Sequence, residues 1–74
     1  MTRAQPYPDD QYPDAGHVRL LVTAGPDGYG RHSFDALWRS DGRPRGQVFT
    51  SNLAEAVDRW TRNGYRVTVS HENL

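Results

Sequence analysis

From His17 onward, apolar and polar residues alternate with a period of two, and this pattern sets the first expectation. Val18, Leu20 and Val22 fall on one side and Arg19, Leu21 and Thr23 on the other, as a half-buried strand requires. Gly25-Pro26-Asp27-Gly28 then supplies a turn, with Pro26 fixing φ where a type I turn needs it and Gly28 ending it. His32, Phe34, Ala36 and Trp38 alternate against Ser33, Asp35 and Leu37, which predicts a strand returning antiparallel to the first. Phe34, Leu37 and Trp38 also stand at helical spacing, with Ser33 able to cap and Gly42 able to stop a short helix. Strand and short helix both stay open for residues 33–39. A short third strand is predicted at Gln47–Thr50, after a loop spanning Ser40–Gln47.

The helix after it is the best-marked element. Leu53, Ala56, Val57 and Trp60 recur at i, i+3, i+4 and i+7 and make one apolar stripe. Ser51 or Asn52 can cap the first turn, Asn52 and Glu55 having capping-box spacing, and Asn63-Gly64 supplies a left-handed stop. With Gly64 at C′, Tyr65 and Trp60 take the two positions that touch in a Schellman ending. Glu55–Arg59 and Asp58–Arg62 are i, i+4 pairs in the favourable order. Beyond the helix, Tyr65, Val67 and Val69 alternate with Arg66, Thr68 and Ser70, predicting a last strand.

The elements read β-β-β-α-β. The expected fold is α+β: a small antiparallel sheet of three to four strands with one helix packed on one face. The helix should meet Val18, Leu20, Val22, Phe34, Trp38, Val67 and Val69 in a single core. The opposite face, bearing Arg19, Leu21, Thr23, Leu37, Arg66 and Thr68, should be open to a partner. Edge strands in so small a sheet also favour homodimerisation by strand pairing or face packing.

Residues 1–16 lack periodicity. They hold three prolines, three aspartates and an imperfect repeat, Tyr7-Pro8-Asp9 and Tyr12-Pro13-Asp14, and read as a flexible leader ahead of a single domain at 17–74. The Tyr-Pro pairs, biased toward polyproline geometry, would make Tyr7 and Tyr12 docking residues.

Composition narrows the function classes. A chain of 74 residues is one small domain, and without cysteine it has neither disulfides nor a thiolate metal site, which suits a reducing, cytoplasmic setting. No apolar run resembles a signal peptide or a membrane span. Nine basic and nine acidic residues cancel, but residues 1–14 carry one arginine against three aspartates, leaving eight basic against six acidic groups in 15–74. Every basic residue is arginine, a usage that GC-rich coding explains before ligand recognition does.

Signs of catalysis are lacking. The segment Gly25–Gly30 has glycines but not the Lys-Ser/Thr of a phosphate-binding loop. Ser70, His71 and Glu72 are successive strand residues that point to alternating faces and cannot form a relay. His17, His32 and His71 have no local metal-ligand spacing, and Asp35 has no partner carboxylate. The expectation is a non-enzymatic protein without metal or cofactor.

The one concentration of similar side chains is arginine. Arg39, Arg43 and Arg45, with Arg31 nearby, should project from one end of the sheet around a loop turned by Gly42 and Gly46 and stiffened by Pro44. The segment Trp38–Trp60, WRSDGRPRGQVFTSNLAEAVDRW, resembles the arm-binding domains of phage integrases: a strand, a basic Asp-Gly turn, a strand ending Phe-x-Thr, then a helix with Glu-Ala and an aromatic. That resemblance implies a three-stranded sheet entering the major groove with the helix behind it, and DNA contacts from Arg19, Arg39, Arg43 and Arg45. Two functions are therefore expected. One is a binding or regulatory module acting on a protein through Arg19, Leu21, Leu37 and Arg66, a sheet edge or Tyr7 and Tyr12; the other is a duplex DNA binder using Arg19, Arg31, Arg39, Arg43 and Arg45.

Overall fold

The computed structural model describes residues 7–71. It contains a 3₁₀ turn at Asp9–Gln11, then β1 (His17–Ala24), β2 (His32–Ser40), β3 (Arg43–Ser51), α1 (Leu53–Arg62) and β4 (Arg66–His71). The predicted order β-β-β-α-β is the order found. The strands form one sheet arranged β3-β2-β1-β4. β1 and β3 each run antiparallel to β2, whereas β4 lies parallel to β1, so the sheet is mixed rather than antiparallel. The helix causes this: α1 carries the chain from the β3 edge across the meander to the far side of β1, and a crossover of this kind delivers a parallel strand.

Residues 33–39 are strand. Alternation wins over helical spacing because both faces of β2 are buried: Phe34 and Ala36 point toward the helix and Leu37 away from it, and all three are inaccessible to solvent. The helix-side core is Val18, Leu20, Val22, Phe34 and Ala36, against which Trp38, Leu53, Val57, Trp60 and Val67 pack. Val69, expected in this core, stays exposed.

The helix ends follow their sequence signals. The Asn52 side-chain oxygen accepts a 3.2 Å hydrogen bond from the Glu55 amide. At the other end Gly64 has φ +89°, the Gly64 amide donates to the Thr61 carbonyl and the Tyr65 amide donates to the Trp60 carbonyl, completing a Schellman motif. The Trp60 and Tyr65 rings meet edge to face at 4.9 Å. Replacing Asn52 by Ala should lower the unfolding free energy by about 1 kcal/mol, read from the denaturant midpoint at unchanged slope. Of the two predicted ion pairs, Asp58–Arg62 forms at 3.0 Å. Glu55 and Arg59 do not join, and neither has another ion-pair partner among the described residues.

Two loop predictions need correcting. The β1–β2 connection is the longer segment 25–31 and not a tight turn; its Gly25–Pro26 peptide is cis and Asp27 organises it. The Asp27 carboxylate accepts hydrogen bonds from the Tyr29 and Arg31 amides and from Arg31 Nε. The two amides in particular hold its pKa below the ordinary value. The predicted arginine loop at 40–47 is mostly strand. Asp41 and Gly42 alone turn the chain, at φ +55° and +75°, as a two-residue type I′ hairpin demands. Pro44 and Gly46 lie within β3 and turn nothing.

Candidate functional site

The face opposite the helix is not open. The segment 7–14, expected to be flexible, lies across it and is tied at three points. The Tyr7 hydroxyl bonds the Asp35 carboxylate. Arg19 Nη1 donates to the Gln11 side-chain oxygen at 2.7 Å, while its Nε reaches Ser70 Oγ at 3.3 Å. Arg39 Nη2 bonds both the carbonyl and the carboxylate of Asp9 at 3.0 Å. Between these ties Tyr12 is only 4% exposed, and Leu37 and Leu21 are left with 0% and 8%. Gly46 lies beneath Tyr12: a Cβ there would stand at ordinary contact distance, 3.7 Å from the Tyr12 hydroxyl and 3.5 Å from Leu37 Cδ2. Residues 1–6 lie outside the described residues.

Arg19, Leu21, Leu37, Tyr7 and Tyr12 therefore do not form a free surface: Tyr7 is bonded to Asp35 and Arg19 to Gln11 and Ser70, while Leu21, Leu37 and Tyr12 are buried. Arg66 is different. It is exposed at the start of β4, without an ion-pair or side-chain hydrogen-bond partner among the described residues.

The arginines do not converge either. Arg31 precedes β2 and pairs with Asp27, at the end of the strand far from Arg39. Arg19 and Arg39 point to the strap-covered face, whereas Arg45 stands opposite Trp38, and Arg43 opposite Ser40, on the helix face. The five candidate DNA contacts are thus divided between two faces and two ends, and three of them are already bonded to this chain's own carboxylate or side-chain oxygens.

Burial sets the chemistry of the strap's central tyrosine. It pushes the Tyr12 phenol above its ordinary pKa of 10.0, with the Asp35 and Asp9 carboxylates acting in the same direction. The folded state then holds the phenolic proton more tightly than the unfolded chain, so this contribution to stability is intact below about pH 10 and declines as pH rises through and above that value. The slope of unfolding free energy between pH 9 and 11 should be shallower in Tyr12→Phe than in the parent protein.

Both edge strands, β3 and β4, remain accessible, and the outer edge of β3 has a cleft beside it. In a two-residue hairpin Ser40 and Arg43 form the closing hydrogen-bonded pair, so β3 residues 43, 45, 47, 49 and 51 turn their backbone groups toward β2. Pro44, Gly46, Val48 and Thr50 turn theirs outward, and Pro44, which has no N–H, fits an outward position. Gly46–Thr50 carries no charge, and Val48 is 71% exposed. The Gly46–Thr50 half of the edge lacks the usual protections against an added strand, which Arg43, Pro44 and Arg45 supply only at the hairpin end. Alongside it, where α1 stands off β3, a cleft of about 490 Å³ has Phe34, Phe49, Trp60 and Tyr65 among its walls and Ser51, Glu55, Arg59 and Asn63 at its rim. Phe34 and Phe49 stack at 5.7 Å and Trp38 meets Trp60 at 5.1 Å, so the aromatic floor is fixed. Sequence reasoning missed both features; Asp41-Gly42 between two alternating segments was the available signal for a tight hairpin and hence a long third strand.

Among the described residues no three histidine, aspartate or glutamate side chains gather as a metal site would require, and no helix is long and apolar enough to cross a membrane. No family model, curated protein or solved structure matches the chain.

Proposed function

We propose that this chain is a small non-enzymatic binding module that takes up an extended segment of a partner protein as an additional strand on β3. The observation that carries the reading is the uncharged outer edge of Gly46, Val48 and Thr50, with three N–H donors and their carbonyls turned away from the sheet. An added strand gains main-chain hydrogen bonds there, and every second side chain falls on the helix face beside the aromatic cleft. Arg43, Arg45 and Arg59, together with Glu55, have no ion-pair partner among the described residues, so an incoming strand carrying charge of either sign finds a counterpart beside this edge. The strap supports the same assignment, since it occupies the face opposite the helix and leaves binding to the sheet edges, of which β3 is the one beside the aromatic cleft.

The test is a selection of random displayed peptides on the immobilised full chain, followed by amide chemical-shift mapping with the selected peptides. Shifts should centre on Gly46, Val48 and Thr50. Val48→Pro, which removes one outward donor and leaves the pairing with β2, should weaken binding by tenfold or more. Shifts confined to the strap-covered face, or peptide affinity indifferent to Val48→Pro, would reject the reading. So would tight binding of duplex DNA whose affinity falls by roughly two decades between 50 and 200 mM salt, the behaviour of three to four phosphate contacts.

A further inference from the structure

We infer that the strand received by β3 is the β3 of a second copy of this chain, paired antiparallel about a two-fold axis through Val48. The inference rests on the β3-edge reading and names its partner.

The register follows from the edge chemistry. A symmetric antiparallel pair must bring outward-facing residues opposite outward-facing residues. A two-fold at Val48 sets Val48 against the partner's Val48, Gly46 against the partner's Thr50, and Thr50 against the partner's Gly46. All three outward N–H groups then find carbonyls, giving roughly six inter-chain hydrogen bonds. Shifting the two-fold to Gln47 would set Pro44 against the partner's Thr50 and leave that carbonyl without a donor. Shifting it to Gly46 would bring Pro44 against Val48. A two-fold at either Val48 or Gln47 satisfies the three outward N–H groups of each chain; the Val48 axis is set apart because it buries the most exposed aliphatic side chain of the sheet against its own copy.

Charge supports the same register. Residues opposite one another in a ladder share a face with Cβ atoms about 5 Å apart. With the axis at Val48, the partner's Arg45 stands opposite Ser51 on the helix face. Ser51 and Glu55 line the same cleft, one turn apart at the helix start. Glu55 is the carboxylate that does not pair with Arg59, and Arg45 is an arginine without an acidic neighbour; the dimer joins them, twice by symmetry. Phe49, half-buried at the cleft wall, is meanwhile covered by the stem of the partner's Gln47. The result is one eight-stranded sheet whose central pair is β3 with β3, and β4 becomes the edge strand at both ends.

Sedimentation equilibrium of the full chain should show the 8.4 kDa species doubling in mass as concentration rises from about 10 µM to about 1 mM. Arg45→Glu and Glu55→Arg, both at exposed positions, should each raise the dimer dissociation constant roughly tenfold by setting like charges together. The double variant, which restores opposite charges in exchanged places, should return to within about threefold of the parent. Circular dichroism of each variant establishes that it is folded. A chain that stays monomeric to 1 mM overturns the inference, and so does a dimer that ignores the single reversals or fails to recover in the double variant. A strictly monomeric chain whose selected peptides still shift Gly46, Val48 and Thr50 overturns the self-pairing alone and leaves the binding module standing.

Discussion

Phe34→Ala should cost about 3–5 kcal/mol of unfolding free energy, enough to leave much of the chain unfolded at 37 °C. Phe34 is the largest fully buried side chain and lies at the middle of the helix-side core, stacked on Phe49 and joined to both β1 and β3 through the central strand. A domain of this length holds about 4–11 kcal/mol in total, so a cavity of that size consumes a large share of it. The surroundings cannot collapse to fill it, because the sheet backbone is rigid on one side and α1 is pinned at both ends by its caps. Urea titration followed by tryptophan fluorescence reads the effect, since Trp38 and Trp60 touch each other in the same core. A loss below 1 kcal/mol would mean that this ring is not packed as described.

Tyr12→Ala should cost about 2–3 kcal/mol and should act on a different part of the molecule. The ring is nearly as buried as Phe34, yet it belongs to a strap that can leave the sheet without dismantling it. The cost is therefore capped at the free energy with which the strap is held. Two readouts separate the cases. In Tyr12→Ala, proteolytic cleavage within residues 7–14 should accelerate strongly while residues 17–71 stay resistant. In Phe34→Ala both regions should be cut together. Retained protection of the strap in Tyr12→Ala would show that Tyr7, Gln11 and Asp9 hold it unaided through their bonds to Asp35, Arg19 and Arg39.

The parts of this fold that were readable beforehand are those set by neighbours in the chain. The α1 ends are local events: a side chain three residues from an amide at one end, and a glycine in a left-handed conformation at the other. Residues 52–65 state both. The alternation of β1, β2 and β4 records burial on one face and is visible for the same reason. Propensity shows only half of β3, because Arg43, Pro44, Arg45 and Gly46 suit a loop. An edge strand tolerates all of them, since its outer side needs no donor and its side chains reach water. The strap had no local pattern at all. Its position depends on Asp35, Arg19 and Arg39, which the fold assembles from two different strands. The same dispersal explains the candidate sites: five arginines that look like a group in the sequence separate once strand register assigns each a face, and three find oxygens within the chain.

The parallel pairing of β1 with β4 has a consequence for how the protein folds. The meander of β1, β2 and β3 can assemble before β4 joins it, since each of its strands pairs with its immediate successor. β1, however, keeps a bare flank until β4 docks, and through that interval two uncovered borders invite other chains. β4 thus acts as a closing stitch, and weakening its pairing with β1 should show first as aggregation during refolding and only afterwards as a lower melting temperature.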